Sequence, residues 1–257
     1  GSVSAAVGAE GRRESVRVTS NPLSEVSGNS LFNTRAYRRS HDVTEAYLET
    51  VVPLARNTTW AEQLDLNAAA RVTDYSTSGT VETWKAGLSY AMPFGLRLRT
   101  TRSRDIAAPS LSDLFAAGGL AFVLDGGVDP FNGQRGRVSA ATGGNPDLEP
   151  EVANTWTAGV VYQPEWLPGF GVSVDYYDIE IADVITTPSA GDVLNRCAAG
   201  AQAYCALIAT DDSPFGIAYV KLTPANLAER KATGTDIELN FRLSADRLSA
   251  SLPGEFT

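Results

Sequence analysis

Polar and apolar residues alternate with a period of two along most of the chain. Ile237, Leu239, Phe241 and Leu243 are interleaved with Asp236, Glu238, Asn240 and Arg242, and Leu64, Leu66, Ala68, Ala70 and Val72 with Asp65, Asn67, Arg71 and Thr73. Trp84–Tyr90, Trp156–Tyr162 and Val172–Tyr176 repeat the pattern. Successive side chains of a strand point to opposite faces, so each segment reads as a strand with one apolar and one polar face. At Tyr176-Tyr177 the phase changes, and Tyr177, Ile179 and Ile181 take over the apolar positions. The pattern predicts nine long strands, over about 2–18, 42–55, 60–74, 80–92, 95–105, 154–163, 169–186, 228–244 and 247–257. Several exceed about 11 residues, well beyond the roughly 5–6 typical of globular strands. They meet the roughly 9–11 that a tilted strand needs to cross a bilayer.

The connectors test that reading independently. In an up-and-down meander, every second connector lies at the same end. The even ones are short: Arg56–Thr59, Pro93-Phe94, Pro164–Pro168 and Ala245-Asp246. Three of the four odd ones are long, at about 19–41, 106–153 and 187–227, with 75–79 the exception. A soluble sandwich has no reason to sort loop lengths by parity, whereas an outer-membrane barrel has short turns at one end and long loops at the other. The fold expected is therefore all-β, an antiparallel up-and-down transmembrane barrel. Nine strands cannot close with every pair antiparallel, so an incomplete barrel is expected, with a short helical insertion in one external loop and residues 1–257 forming a single partial domain.

The composition changes this picture in one respect. A mean hydropathy of −0.11 and the lack of a run of about 20 apolar residues suggest a water-soluble chain. Alternation, however, averages the two faces to near zero and conceals a barrel. The net charge of −9, from 30 acidic against 21 basic residues, argues against a nucleic-acid partner, whose phosphates the chain would repel. One His and two Cys leave little for imidazole chemistry or a four-ligand zinc site. No catalytic, cofactor or metal residue is assigned. The chain has no initiator methionine or leader pattern at its start, and reads as the interior of a longer protein.

Several local features stand out. Pro109–Phe115 reads as a short helical turn with Ser110 as N-cap and Asp113 three residues on. Residues 189–208 read as helix, and Ile217–Leu222 as a short strand outside the membrane band. Cys197 and Cys205 would lie about 12 Å apart on one continuous helix, too far for a disulfide, which needs less than about 7 Å. A break at Gly200 is expected to bring them together, giving a helix–turn–helix loop stapled by a Cys197–Cys205 disulfide in an oxidising compartment; the other reading is two free buried thiols. The acidic clusters Asp125–Pro130 and Asp211-Asp212 read as solvated loop carboxylates rather than a cation site. Asp175, Asp178, Glu180 and Asp183 read as lining a polar interior rather than as a glycosidase pair, with Arg97, Arg99, Arg102 and Arg104 able to pair with them. No nucleophile context makes a triad of His41. Trp84, Tyr90, Trp156, Tyr162, Trp166, Tyr176 and Phe241 fit interfacial girdles.

Three stretches resemble the C-terminal barrel half of TonB-dependent outer-membrane receptors. The first is Ser103–Phe115, with Pro109, Leu111, Leu114 and Phe115 in the strand-then-loop signature. The second, and most specific, is Gly144-Asn145-Pro146-Asp147-Leu148-Glu149-Pro150-Glu151. The third is Trp166–Gly169 with Val172–Ile181, and Asn226–Ala228 and Gly234–Glu238 also match. One departure is Ala107, where the family usually has Arg. The motif residues read as architecture at a barrel rim. Pro109, Pro146 and Pro150 cannot donate to a ladder and so end pairing, and Glu151 can accept hydrogen bonds from loop amides.

The resemblance implies a 22-stranded barrel with an N-terminal plug, of which this chain would be about two-fifths, with neither plug nor TonB box and with two open edges. It implies an active outer-membrane importer in a Gram-negative bacterium, partnered by TonB through the plug, by lipid, and by a small-molecule or oligosaccharide ligand at the external loops. The ligand would be an iron–siderophore, cobalamin or an oligosaccharide. A passive porin would need no plug, and a soluble carbohydrate-binding sandwich would bury Leu64, Leu66, Leu239 and Phe241 between two sheets.

Overall fold

The computed structural model describes residues 1–26, 35–123, 133, 138–210, 217–244 and 255–256. Strand β1 (Ser4–Val18) leads through the one-turn helix α1 (Pro22–Glu25) into β2 (Tyr37–Arg56), and β3 (Gln63–Tyr75), β4 (Gly79–Met92) and β5 (Leu96–Ala107) continue the meander. The chain then makes an excursion through α2 (Leu111–Phe115), β6 (Gly119–Val123) and β7 (Val138–Thr142) before β8 (Glu151–Tyr162) and β9 (Phe170–Thr186). A second excursion carries α3 (Ala190–Ala198), α4 (Gln202–Cys205), β10 (Ile208–Thr210) and β11 (Ile217–Leu222), and leads to β12 (Ala225–Phe241). Two short strands, β13 (Leu243–Ser244) and β14 (Glu255–Phe256), pair with each other.

Eight long strands form one sheet in the order β1-β2-β3-β4-β5-β8-β9-β12, with every neighbouring pair antiparallel. The sheet does not close, and β1 and β12 are its edges. Of the expected ninth strand, 247–257, only Glu255 and Phe256 are among the described residues, and Leu248, Ala250 and Leu252 lie outside them. The registers run without a break over most of the sheet. One shift falls between Pro53 and Ala55, where proline has no N–H to give the ladder, and two more lie between Asn226 and Arg230.

Burial is inverted relative to a soluble sheet. On one face the exposed residues are apolar: Ile237 is 72% and Leu239 67% exposed, and Leu48, Leu88, Leu98, Val160 and Val174 are exposed beside them. On the other face Glu45 and Asp65 are each 7% exposed, and Thr73 and Ser103 are buried with them. No second sheet packs on the apolar face among the described residues, as a sandwich would require.

The register corrects the expected phase change at Tyr176-Tyr177. Strand β9 pairs with β8 without a shift from Val172 to Ala182, so Tyr176, Asp178 and Glu180 share the apolar face with Val172 and Val174. Asp175 lies on the opposite, polar face with Tyr177, Ile179 and Ile181. What changes is the chemistry each face prefers. Above the apolar band the outer face turns polar, while the backbone keeps its phase.

The connectors sort by end. Residues 57–62, 93–95 and 163–169 join strands at one end, and 19–36, 76–78, 108–150 and 187–224 at the other. The two longest fold together into a second, four-stranded sheet in the order β10-β11-β7-β6, in which β11 and β7 run parallel. Its apolar core comprises Val138, Val193, Leu194, Ile217 and Val220, packed by Tyr204, Leu207, Ile208 and Leu222.

Candidate functional site

The loop end of the sheet carries this folded cap, and the sequence motifs lie where it joins the wall. Helix α2 begins with a reciprocal capping box. The Ser110 hydroxyl accepts the Asp113 N–H at 3.1 Å, and the Asp113 carboxylate accepts the Ser110 N–H at 3.1 Å. Leu111 and Leu114 are buried beneath the helix. The Gly-Asn-Pro segment closes over its last turn: the Gly144 N–H donates to the Ala116 carbonyl at 2.9 Å and the Asn145 N–H to the Asp113 carbonyl at 2.7 Å. Glycine is required here, because a Cβ at 144 would stand 2.5 Å from the Leu114 carbonyl carbon and the Phe115 nitrogen.

Asn145 and Asn226 tie both excursions to the wall. The Asn145 amide donates to the Pro224 carbonyl at 3.0 Å, and its oxygen accepts the Asp147 N–H at 3.0 Å. Asn226 accepts the Glu149 N–H at 3.0 Å and donates to the Glu149 carbonyl at 2.9 Å and the Asp183 carbonyl at 2.6 Å. Asp183 has a positive φ of 57°, which turns that carbonyl out of the regular ladder. The Glu151 carboxylate accepts the Ile185 N–H at 2.8 Å. Ala107 pairs with Glu151 in register and presents only a methyl. Pro109 and Leu148 are buried, and Phe115 and Pro150 half-buried. Hydrogen bonds through Gly144, Asn145, Glu151 and Asn226 thus join α2, β8, β9 and the start of β12, with Leu111 and Leu114 buried beside them and Pro146 exposed. Sequence reasoning assigned no role to Asn226; its position at the start of a strand that follows a proline-ended loop was the available signal.

Within the second excursion, Gly200 adopts φ +91° and separates α3 from α4, folding Cys205 back on Cys197 to a Cα separation of 4.7 Å, where the two form a disulfide. Ser189 caps α3 by accepting the Asp192 N–H at 3.1 Å. The Arg196 guanidinium lies 5.1 Å from the centre of the Tyr204 ring, which closes the hairpin from outside. The acidic clusters at 125–130 and 211–212 lie outside the described residues.

The polar face below the cap is a lattice of ion pairs. Arg12 meets Glu14 at 2.9 Å and Glu45 at 3.4 Å, Arg71 meets Glu45 at 3.4 Å, and Arg56 meets Asp65 at 2.7 Å. Arg99 grips Asp175 with two hydrogen bonds, of 2.8 and 2.6 Å, passing over Gly159 on the strand between them. Arg102 and Arg104, expected to pair with such acids, lie instead on the apolar side of the sheet, because they alternate with Ser103 and Thr101. His41 is 4% exposed, between Glu14 at 3.1 Å and Thr77 at 3.3 Å, a tie between strands at the rim. On the loop side of the apolar band, two hydrogen bonds from Arg13, of 2.7 and 2.8 Å, hold the Asp42 carboxyl below its usual range.

Among the described residues this geometry is that of a sheet with one apolar and one ion-paired face, carrying a cored cap at one end. The sequence model of a family described as TonB dependent receptor-like, beta-barrel, matches residues 3–256. No curated protein matches the chain. Among solved structures, the chain is similar to the siderophore receptor PirA from Acinetobacter baumannii, at TM-score 0.63 and 15% identity, covering 93% of this chain and 32% of that one. It is also similar to a ferric enterobactin receptor mutant from Pseudomonas aeruginosa in complex with enterobactin, at TM-score 0.63 and 16% identity over 94% of this chain and 31% of that one. The siderophore receptor PirA from Pseudomonas aeruginosa matches at TM-score 0.59 and 16% identity, over 92% and 36%. The chain thus spans about a third of the length of these structures, and at such identities the likeness shows the fold.

Proposed function

This chain belongs to the TonB-dependent receptor-like β-barrel family, and from that premise we propose that it forms part of the wall and external loops of an outer-membrane active importer. The apolar face contacts lipid, the ion-paired face lines the interior, and the cap built from 108–150 and 187–224 receives the ligand on the cell exterior. Inward passage is driven by TonB acting on a plug segment that lies outside residues 1–257. The chain performs no chemistry on its cargo. The rim node of Pro109, Leu111, Leu114, Phe115, Gly144, Asn145, Pro146, Leu148, Pro150 and Glu151 holds the cap in place.

The observation that carries this reading is that the two longest same-end loops fold into one cored cap joined through Asn145 and Asn226 to the wall, an investment a passive channel does not need. The ligand class favoured is an iron–siderophore, since the structural neighbours are named for siderophores; cobalamin and oligosaccharides are the competing cargoes. The test compares uptake of labelled ferric siderophores, cobalamin and oligosaccharides by cells expressing the full-length gene, with and without TonB. Accumulation that requires both the gene and TonB is expected. Gene-dependent uptake that persists without TonB would establish a passive porin and refute the proposal.

A further inference from the structure

The outward face of the wall changes character row by row. Tyr90, Leu98, Val160, Val174 and Ile237 lie side by side across five strands. One step toward the loops come Leu88, Thr100, Ala158 and Tyr176, and the next row is Ala86, Arg102, Trp156 and Asp178. The row beyond is Trp84, Arg104, Asn154 and Glu180. Two arginines and two tryptophans therefore mark the upper limit of the apolar band on three adjacent strands.

On the polar face Arg12, Arg56, Arg71 and Arg99 each meet a carboxylate. Arg102 and Arg104 are exposed and form no ion pair or hydrogen bond among the described residues. Their cross-strand neighbours Ala86, Trp156, Trp84 and Asn154 carry no charge. Asp178 stands two strands from Arg102, roughly 10 Å away, behind Trp156, and pairs with Lys231 at 3.8 Å. Glu180 stands likewise behind Asn154, and Glu82, diagonal to Arg104 on β4, forms no ion pair with it. Both arginines lie on the central strand β5, flanked on each side by described strands, so an open sheet edge does not account for their free guanidinium groups.

We infer that Arg102 and Arg104, framed by Trp84 and Trp156, form a binding site for the phosphate-bearing headgroup of a membrane lipid on the outer wall of this protein. The inference rests on the membrane reading proposed for the wall. At the edge of the apolar band the neighbouring matter is lipid, and the anion found at that depth is the headgroup phosphate. A guanidinium fork matches phosphate oxygens in geometry and charge. Two arginines at i and i+2 on one strand face stand about 7 Å apart, a spacing that serves two phosphates or two oxygens of one headgroup. Tryptophan indoles favour the same boundary; the Trp156 N–H donates to the Thr100 hydroxyl at 3.2 Å, which fixes the ring beside Arg102.

The test uses the full-length protein extracted from outer membranes in mild detergent. The readout is the phosphorylated lipid retained per chain, and its rebinding from micelles doped with lipid A, with its dephosphorylated form, or with inorganic phosphate alone. Losing two charge-assisted contacts should lower retention by the R102Q/R104Q variant about tenfold, with R102K/R104K intermediate. The dephosphorylated lipid should not rebind, and inorganic phosphate should not displace the lipid. Equal retention by R102Q/R104Q, equal binding of the dephosphorylated form, or displacement by free phosphate would each overturn the assignment. Outer-membrane fractionation and heat-modifiable migration of the variants report separately on the membrane reading; if the wild type fails to fractionate with the outer membrane, that reading falls first.

Discussion

The Arg99–Asp175 grip depends on a residue that contributes no side chain to it. Arg99, Gly159 and Asp175 stand in one row across β5, β8 and β9, and the two charged side chains meet in the space above Gly159. A Cβ at 159 would lie 2.9 Å from the Asp175 carboxyl carbon and 3.0 Å from the Arg99 Nε, and would overlap a carboxylate oxygen. The backbone at 159 is ordinary extended strand and accepts alanine without strain, so Gly159→Ala acts through the pair alone. Asp175 is about a quarter exposed and Arg99 about half; solvent screening therefore limits the bidentate pair to about 1 kcal/mol. Alanine's better strand propensity returns a few tenths of that. The assay is urea unfolding of the full-length protein in lipid, followed by loss of heat-modifiable migration, for Gly159→Ala, Asp175→Asn and the double variant. Asp175→Asn should cost about 1 kcal/mol, Gly159→Ala a few tenths less, and the double no more than Asp175→Asn, because either change already abolishes the grip. Additive costs would refute the argument, as would Gly159→Ala being neutral while Asp175→Asn destabilises.

Three further changes probe the rim and cap. Gly144→Ala places a methyl against the backbone of α2, which cannot yield as a side-chain tip can, and should cost about 2 kcal/mol or more with faster proteolysis within 108–143. Asn226→Ala releases the exposed Glu149 amide and two carbonyls to water at a cost of about 1 kcal/mol, read as faster hydrogen exchange at Glu149, whereas Asn226→Asp keeps the acceptor and protects that amide. Replacing Cys197 and Cys205 with serine should raise cleavage within 187–224 and leave the heat-modifiable migration of the wall unchanged, since the disulfide closes a loop confined to the cap.

Wall and cap differed in how far the sequence disclosed them. Wall strands pair with their neighbours in the meander and answer to one rule, apolar outward and polar inward, so alternation at Leu64–Val72 or Trp84–Tyr90 was enough. The rule reverses where a strand rises past the apolar band, and for that reason Tyr177, Ile179 and Ile181 imitated a backbone phase change and placed Asp178 and Glu180 on the wrong side. Local chemistry was equally legible, as in the Ser110–Asp113 box and the hinge at Gly200, because both ends of each interaction lie within a few residues. Strands β6, β7 and β10 left no such trace. They are short, two of them lie among glycines, and they are stabilised by the parallel pairing of β7 with β11, some eighty residues apart in the chain. The rim motif could be recognised as an architectural block, but its closing partner Asn226 lies on a different strand, and the spacing within the block does not reveal it.

The parallel β7–β11 pairing makes the two long loops inseparable. Two loops that appear as separate insertions in the chain share one hydrophobic core and one ladder, so neither is an independent module. Transplanting the 108–150 loop alone into another barrel would expose Val138 and leave β7 without a neighbour on one side; transplanting 187–224 alone would do the same to Val220. The cap can be moved between barrels only as a matched cassette of both loops, with Asn145 and Asn226 as the joints that have to travel with it.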